Sequence, residues 1–193
     1  MKKFLEINNV TFAIGGKNKV NDVNISIEKE GDIICILGPS GIGKTTILRT
    51  IAGLEKISQG EIILKNKIIS SSKIHIEPEK RNIALSFQEN SLFPHYNIEK
   101  NIHLGVKKDF LNNKKLDPQE IIKILNIQNI LDKYPHQISA GEAQRASLAR
   151  SLISQPDLLL LDEPLSNVDQ SFKEDIQVAL KKILKENKIS TIV

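Results

Sequence analysis

The sequence predicts an α/β fold: a mainly parallel sheet with covering helices, flanked by antiparallel strands and interrupted by a helical insertion. Three observations carry that prediction. Two short continuous apolar runs, Ile33-Ile34-Cys35-Ile36-Leu37 and Leu158-Leu159-Leu160-Leu161, suit strands buried on both faces, as in a parallel sheet. Helical segments alternate with them: Lys44 to Ala52, ending at Gly53, and Phe172 to Lys188, where Ile176, Leu180, Ile183 and Leu184 share one face. Strand signals vanish between about Asn90 and Gln155, where 97–104, 118–132 and 141–154 read as helices punctuated by Pro94, Pro118 and Pro135.

Residues 4–27 and 61–69 read as antiparallel strands beside this core, with Val23, Ile25 and Ile27 alternating against polar neighbours. The 193 residues form a single domain in this reading. Its core and β subdomain take about 1–89 and 156–193, and a helical subdomain takes about 90–155. The closing run Ile189-Ser190-Thr191-Ile192-Val193 has the look of a buried strand just beginning, so the chain is expected to be truncated there.

Composition narrows the function classes. Hydrophobic residues make up 40% and charged ones 26%, the balance of a globular protein rather than a disordered one. No apolar run reaches the roughly 18 residues that cross a bilayer. The N-terminus meets an acid at Glu6, where a signal peptide needs an apolar core, so a cytoplasmic location is expected. One cysteine, Cys35, excludes an internal disulfide and a multi-cysteine zinc site. The net charge is +4, but only four of the 27 basic residues are arginines and the lysines are scattered among 23 acids. That pattern reads as solvated surface, and no nucleic-acid partner is expected.

Gly38-Pro39-Ser40-Gly41-Ile42-Gly43-Lys44-Thr45 fits G-x-x-x-x-G-K-[ST] between a predicted strand and a predicted helix, the setting a P-loop requires. Glycines let successive backbone N–H groups turn inward toward phosphate oxygens, and the helix N-terminus adds its partial positive charge. Lys44 can reach the β- and γ-phosphates, Thr45 can offer its hydroxyl to Mg²⁺, and Thr46 follows in the same turn. The leucine run delivers Asp162 and Glu163 to a strand end, where ligands collect in open α/β sheets. Asp162 suits the Mg²⁺, and Glu163 suits a general base acting on water. The expected ligands are ATP and Mg²⁺.

Ile138-Ser139-Ala140-Gly141-Glu142-Ala143-Gln144-Arg145, just before that strand, is similar to the signature LSGGQ-x-Q-R of the ATP-binding subunits of ABC transporters. Read by itself, Ser139 with Glu142 is a capping box opening a helix. The resemblance covers essentially the whole chain. It implies a P-loop ATPase core, an antiparallel β subdomain and a helical subdomain, with ATP and Mg²⁺ as ligands. It also implies a homodimer with two ATP molecules between opposed surfaces, in which Ser139, Ala140, Gly141 and Glu142 face the nucleotide of the partner. Gln88 matches the family's Q-loop glutamine, a catalytic and Mg²⁺-sensing group, and Asp169 matches the D-loop at the dimer seam.

Departures from the family pattern are Ala140 and Glu142, an extra Glu30, and Ile14 where an adenine-stacking aromatic is expected, with Phe12 the closest ring. The family's switch histidine would fall just beyond Val193. His75, His95, His103 and His136 lie elsewhere, so hydrolysis by these 193 residues alone is expected to be weak.

Arg81-Asn82-Ile83, Phe87-Gln88, Leu92-Phe93-Pro94-His95 and Ile98 to Ile102 resemble the importer branch. That branch implies transmembrane permease subunits as partners, indirectly a solute-binding protein, and a peripheral place on the cytoplasmic face of the cell membrane. Leu92, Phe93 and Tyr96 are expected to receive the permease or to pack the subdomain's own core. The alternative is an ABC ATPase of the cell-division or lipoprotein-release type that imports no solute. The solute itself is not legible.

Overall fold

The computed structural model describes residues 2–14, 18–87, 91–104, 106 and 116–193. In chain order its first half runs β1 (Leu5–Ile14), β2 (Asn18–Ile27), β3 (Ile33–Ile34), α1 (Lys44–Ala52), β4 (Gln59–Leu64), β5 (Lys67–Ser71) and β6 (Ile83–Ser86). The second half runs α2 (Ile98–His103), α3 (Pro118–Ile124), α4 (Ala140–Ile153), β7 (Leu158–Leu161), α5 (Gln170–Glu186) and β8 (Ser190–Ile192).

Alternating apolar and polar residues at the start of the chain form an antiparallel sheet of order β2-β1-β4-β5. Leu5, Ile7, Val10 and Phe12 of β1 turn into the core, and the register shifts on either side of Val10. The second sheet has the order β3-β8-β7-β6, and all of its pairings are parallel.

β7 shows why a leucine run is needed here. Its side chains alternate between two cores, as strand geometry requires. Leu158 and Leu160 join Leu48 and Ile51 of α1 and the inner face of the antiparallel sheet. Leu159 and Leu161 join Leu148 and Leu152 of α4 and Ile176 of α5. A polar residue at any of the four would meet apolar packing.

Two expectations are corrected. The run 33–37 is not a strand buried on both faces: β3 spans Ile33–Ile34, Cys35 is exposed and Leu37 is 87% exposed. Ladder bonding reaches Ile36, whose N–H donates to the Val193 carbonyl at 2.7 Å. Among the described residues β3 has only β8 beside it, so an apolar run marks the strand without fixing how many neighbours cover it. The predicted helix 118–132 is likewise broken. α3 stops at Ile124, Asn126 takes a left-handed φ of +49°, and a short tight turn over Gln128–Ile130 follows. Ile127 and Ile130 stay buried, so the apolar spacing continues across a break it does not reveal.

Arg81 joins the two sheets. It is 3% exposed and donates to the carbonyls of Thr50 and Ile51 at the end of α1, to the Ile76 carbonyl, and to Ser70 Oγ of β5. Burial pushes its pKa down to about 10, which leaves it charged at neutral pH. Gly53 caps α1 at φ +91°, against the same guanidinium.

Candidate functional site

The loop between β3 and α1 is shaped by glycines that adopt conformations costly to other residues. Gly41 has φ +81° and Gly43, the residue before α1, has φ +104°. No side chain caps the start of α1, so its first N–H groups face the loop. Lys44 folds back across it, donating to the carbonyls of Gly38 at 2.7 Å and Pro39 at 3.0 Å. The loop thus joins two left-handed glycines, an uncapped helix start and one ammonium, the features with which a P-loop receives an anion.

Across from the loop stands the end of β7. Ser40, Gly41, Lys44 and Thr45 line one wall of a cavity of about 400 Å³, and Asp162 and Glu163 line the other; Gly43 and Thr46 complete it. Asp162 is 7% exposed, and its N–H donates to the Ser86 carbonyl of β6. Glu163 has a left-handed φ of +47° directly before Pro164. Sequence reasoning placed these two groups at one site, and the structure brings them together.

The signature segment does not line this cavity. Ser139 caps α4, with its N–H 2.8 Å from Glu142 Oε2 and its hydroxyl 2.9 Å from the same oxygen, while the Glu142 N–H donates to Ser139 Oγ at 3.2 Å. These bonds from Ser139 hold the Glu142 carboxyl below its ordinary value. Ser139 and Ala140 are exposed. The capping-box reading and the outward-facing signature describe one feature: a capped helix start presented to solvent.

Asp169 is exposed and precedes α5, and its side chain makes no capping bond. Gln88 lies outside the described residues, as does the side chain of Ile14, the last residue of β1. Phe12 is 2% exposed inside the core, so its ring is not available to stack on adenine. Leu92 packs on the helical core, whereas Phe93 is 46% exposed in a ring cluster with His95 and Tyr96.

Two groups inside the quoted motifs carry roles that the sequence does not assign to them. Asn101, fully buried, accepts from the Phe93 N–H and donates to the carbonyls of Phe93, Tyr96 and Asn97, which fixes that aromatic loop. Gln144, 1% exposed, bonds to the turn that follows Glu163. Neither stands out by residue type, since a buried amide on a helix is announced only by its partners.

A parallel sheet that delivers both walls of this cavity to its carboxyl edge places the chain among the P-loop nucleotide-binding α/β proteins. The sequence model of the ABC transporter family matches residues 20–166, and the chain belongs to that family. It is 40% identical over 184 residues to the spermidine/putrescine import ATP-binding protein of Chromobacterium violaceum, across 94% of this chain and 50% of that protein. It is 35% identical over 193 residues to the Fe(3+) ions import ATP-binding protein of Escherichia coli O157:H7, across 99% of this chain and 54% of that protein. The chain thus spans about half the length of the curated relatives it matches. Among solved structures it resembles a dimeric ATP-binding cassette in a post-hydrolysis state bound to ADP and Pi. The TM-score is 0.80 at 28% identity, over 98% of this chain and 86% of that one. Membership of this family implies ATP binding.

Proposed function

We propose that the chain is the ATP-hydrolysing subunit of an ABC importer. The observation that carries this reading is the shared cavity of about 400 Å³ that sets the glycine loop and Thr45 opposite Asp162 and Glu163. Loop N–H groups take the β-phosphate, and Lys44 leaves the Gly38 and Pro39 carbonyls for the phosphate oxygens. Ile14, at the position where the family carries its adenine-stacking aromatic, is assigned to the adenine.

A Mg²⁺ ion suits this cavity. Thr45 and Asp162 bring a hydroxyl and a carboxylate to the same cavity, oxygen donors of the kind that Mg²⁺ takes together with substrate phosphates. Thr45, Asp162 and Gln88 would hold it, and it would neutralise charge between the phosphates. Glu163 accepts a proton from the attacking water and Gln88 orients that water.

Hydrolysis completes in a dimer. Ser139 and the Gly141 N–H, at the exposed start of α4, contact the γ-phosphate bound by a second copy, with Ala140 and Glu142 beside them and Asp169 at the seam. Residues of about 1–89 and 156–193 act as the catalytic core, and about 90–155 as the helical subdomain that meets a permease near Phe93. No helix among the described residues is long and apolar enough to cross a membrane. As an importer subunit the chain would sit peripherally on the cytoplasmic face, held by the permease. A solute-binding protein would act through the permease. Calorimetry with Mg-ATP and co-purification with a membrane subunit test the reading together. Absence of ATP binding overturns it, while ATP binding without any permease favours the division or lipoprotein-release alternative.

A further inference from the structure

Gln144 makes three hydrogen bonds from a position 1% exposed, all to one turn. Its Nε2 donates to the Glu163 main-chain carbonyl at 3.0 Å and to Ser166 Oγ at 3.1 Å, and its Oε1 accepts from the Asn167 N–H at 3.0 Å. The Glu163 carbonyl also accepts from the Ser166 N–H at 3.2 Å, so the turn is closed on itself and clipped from outside. Only a carboxamide can donate twice and accept at once in this geometry: a carboxylate lacks the donors, and an ammonium lacks the acceptor.

The clip holds something that would not hold itself. Glu163 sits at φ +47°, left-handed and directly before Pro164, a backbone state that persists only where the surroundings over-determine it. The first turn of α4 touches the same turn, since a Cβ on Gly141 would stand 2.7 Å from the Asn167 carbonyl oxygen. The helix start that carries Ser139 and Gly141 is therefore packed against the turn that follows Glu163.

We infer that Gln144 is a positioning residue. It fixes the Glu163 backbone so that its carboxylate faces the phosphate cavity, and it ties that carboxylate to the signature end of α4, which serves the other copy. The inference rests on the proposed role of Glu163 as general base.

The test uses the full native chain with its partners and compares Gln144→Met, which keeps length and volume without the polar bonds, with Glu163→Gln. Turnover, KM for ATP, ATP affinity by calorimetry and melting temperature are measured on each. For Gln144→Met, kcat is expected to fall by about 100-fold, the scale set by a roughly 1 Å misplacement of a reacting group, with affinity and KM within about twofold. If that variant does not fold, Gln144→Glu keeps the acceptor for Asn167 and loses the bond to the Glu163 carbonyl, with the same split expected. An unchanged kcat overturns the inference, as does a loss of kcat and ATP affinity in proportion to melting temperature. Should Glu163→Gln itself leave turnover intact, the base assignment fails and takes this inference with it. Loss of turnover in Glu163→Gln but not in the Gln144 variants refutes the positioning role alone.

Discussion

Lys44 Nζ lies 2.7 Å from the carbonyl oxygen of Gly38, so the charge of the phosphate loop is held by the loop's own backbone. This contact is exposed and has a second arm to Pro39 at 3.0 Å. A phosphate entering the loop offers a stronger acceptor than either carbonyl, because an ionised partner roughly doubles the strength of such a bond.

Lys44→Ala is therefore expected to weaken Mg-ATP binding by about 1.5–3 kcal/mol, or roughly 10- to 150-fold, while barely moving stability. Calorimetry and thermal unfolding on the same protein check both halves. Equal ATP affinity in mutant and wild type would remove Lys44 from the cradle.

The loop and the leucine strand were legible because each depends on residues that few alternatives can replace. Gly41 and Gly43 sit at positive φ, and the four leucines of β7 feed two cores at once. Less legible were features set by neighbours rather than by the residue itself. Leu37 continues an apolar run yet is 87% exposed, and Asn126 interrupts a helix whose apolar spacing carries on through Ile127 and Ile130. The signature was read correctly as a helix start, yet Gln144 inside it gained meaning only when its partners, 19 to 23 residues away in sequence, were placed.

Arg81 is the next site where a single change matters. Arg81→Met should cost about 3 kcal/mol, because the last carbonyls of α1 lose a buried cationic donor and no water replaces it. Gly53→Ala drives a methyl into the same guanidinium at φ +91° and should cost about 2 kcal/mol or more. Urea unfolding with unchanged m-values is the check. A Gly53→Ala protein as stable as wild type would show that Arg81 yields easily.

Acid should loosen the signature cap. Bonds donated by Ser139 hold the folded Glu142 pKa below its ordinary 4.5, so the carboxylate's contribution is present above that value and is lost as pH falls through the folded one. At neutral pH the box is intact. An NMR titration of the Ser139 amide is expected to show a midpoint below 4.5, and Glu142→Gln should abolish that titration. A midpoint at or above 4.5 would mean the box does not persist in solution.

Glu163→Gln separates binding from chemistry. The amide keeps the shape of the side chain and leaves the Glu163 carbonyl to Gln144 and Ser166, so the turn stays clipped. What disappears is a carboxylate able to take a proton from water. General-base catalysis typically supplies about 10²–10⁴-fold, and turnover should fall by that factor while Mg-ATP affinity holds or rises. With hydrolysis blocked, the ATP-bound form is expected to accumulate, and in the proposed dimer the exposed start of α4 would meet a γ-phosphate on a second copy. Light scattering should then show a dimer with ATP that is absent without it. A variant that binds ATP, does not hydrolyse it and remains monomeric at high protein concentration would detach Ser139 and Gly141 from the chemistry. It would leave the first turn of α4 with structural roles alone, its capping box and the packing of Gly141 against the Asn167 turn.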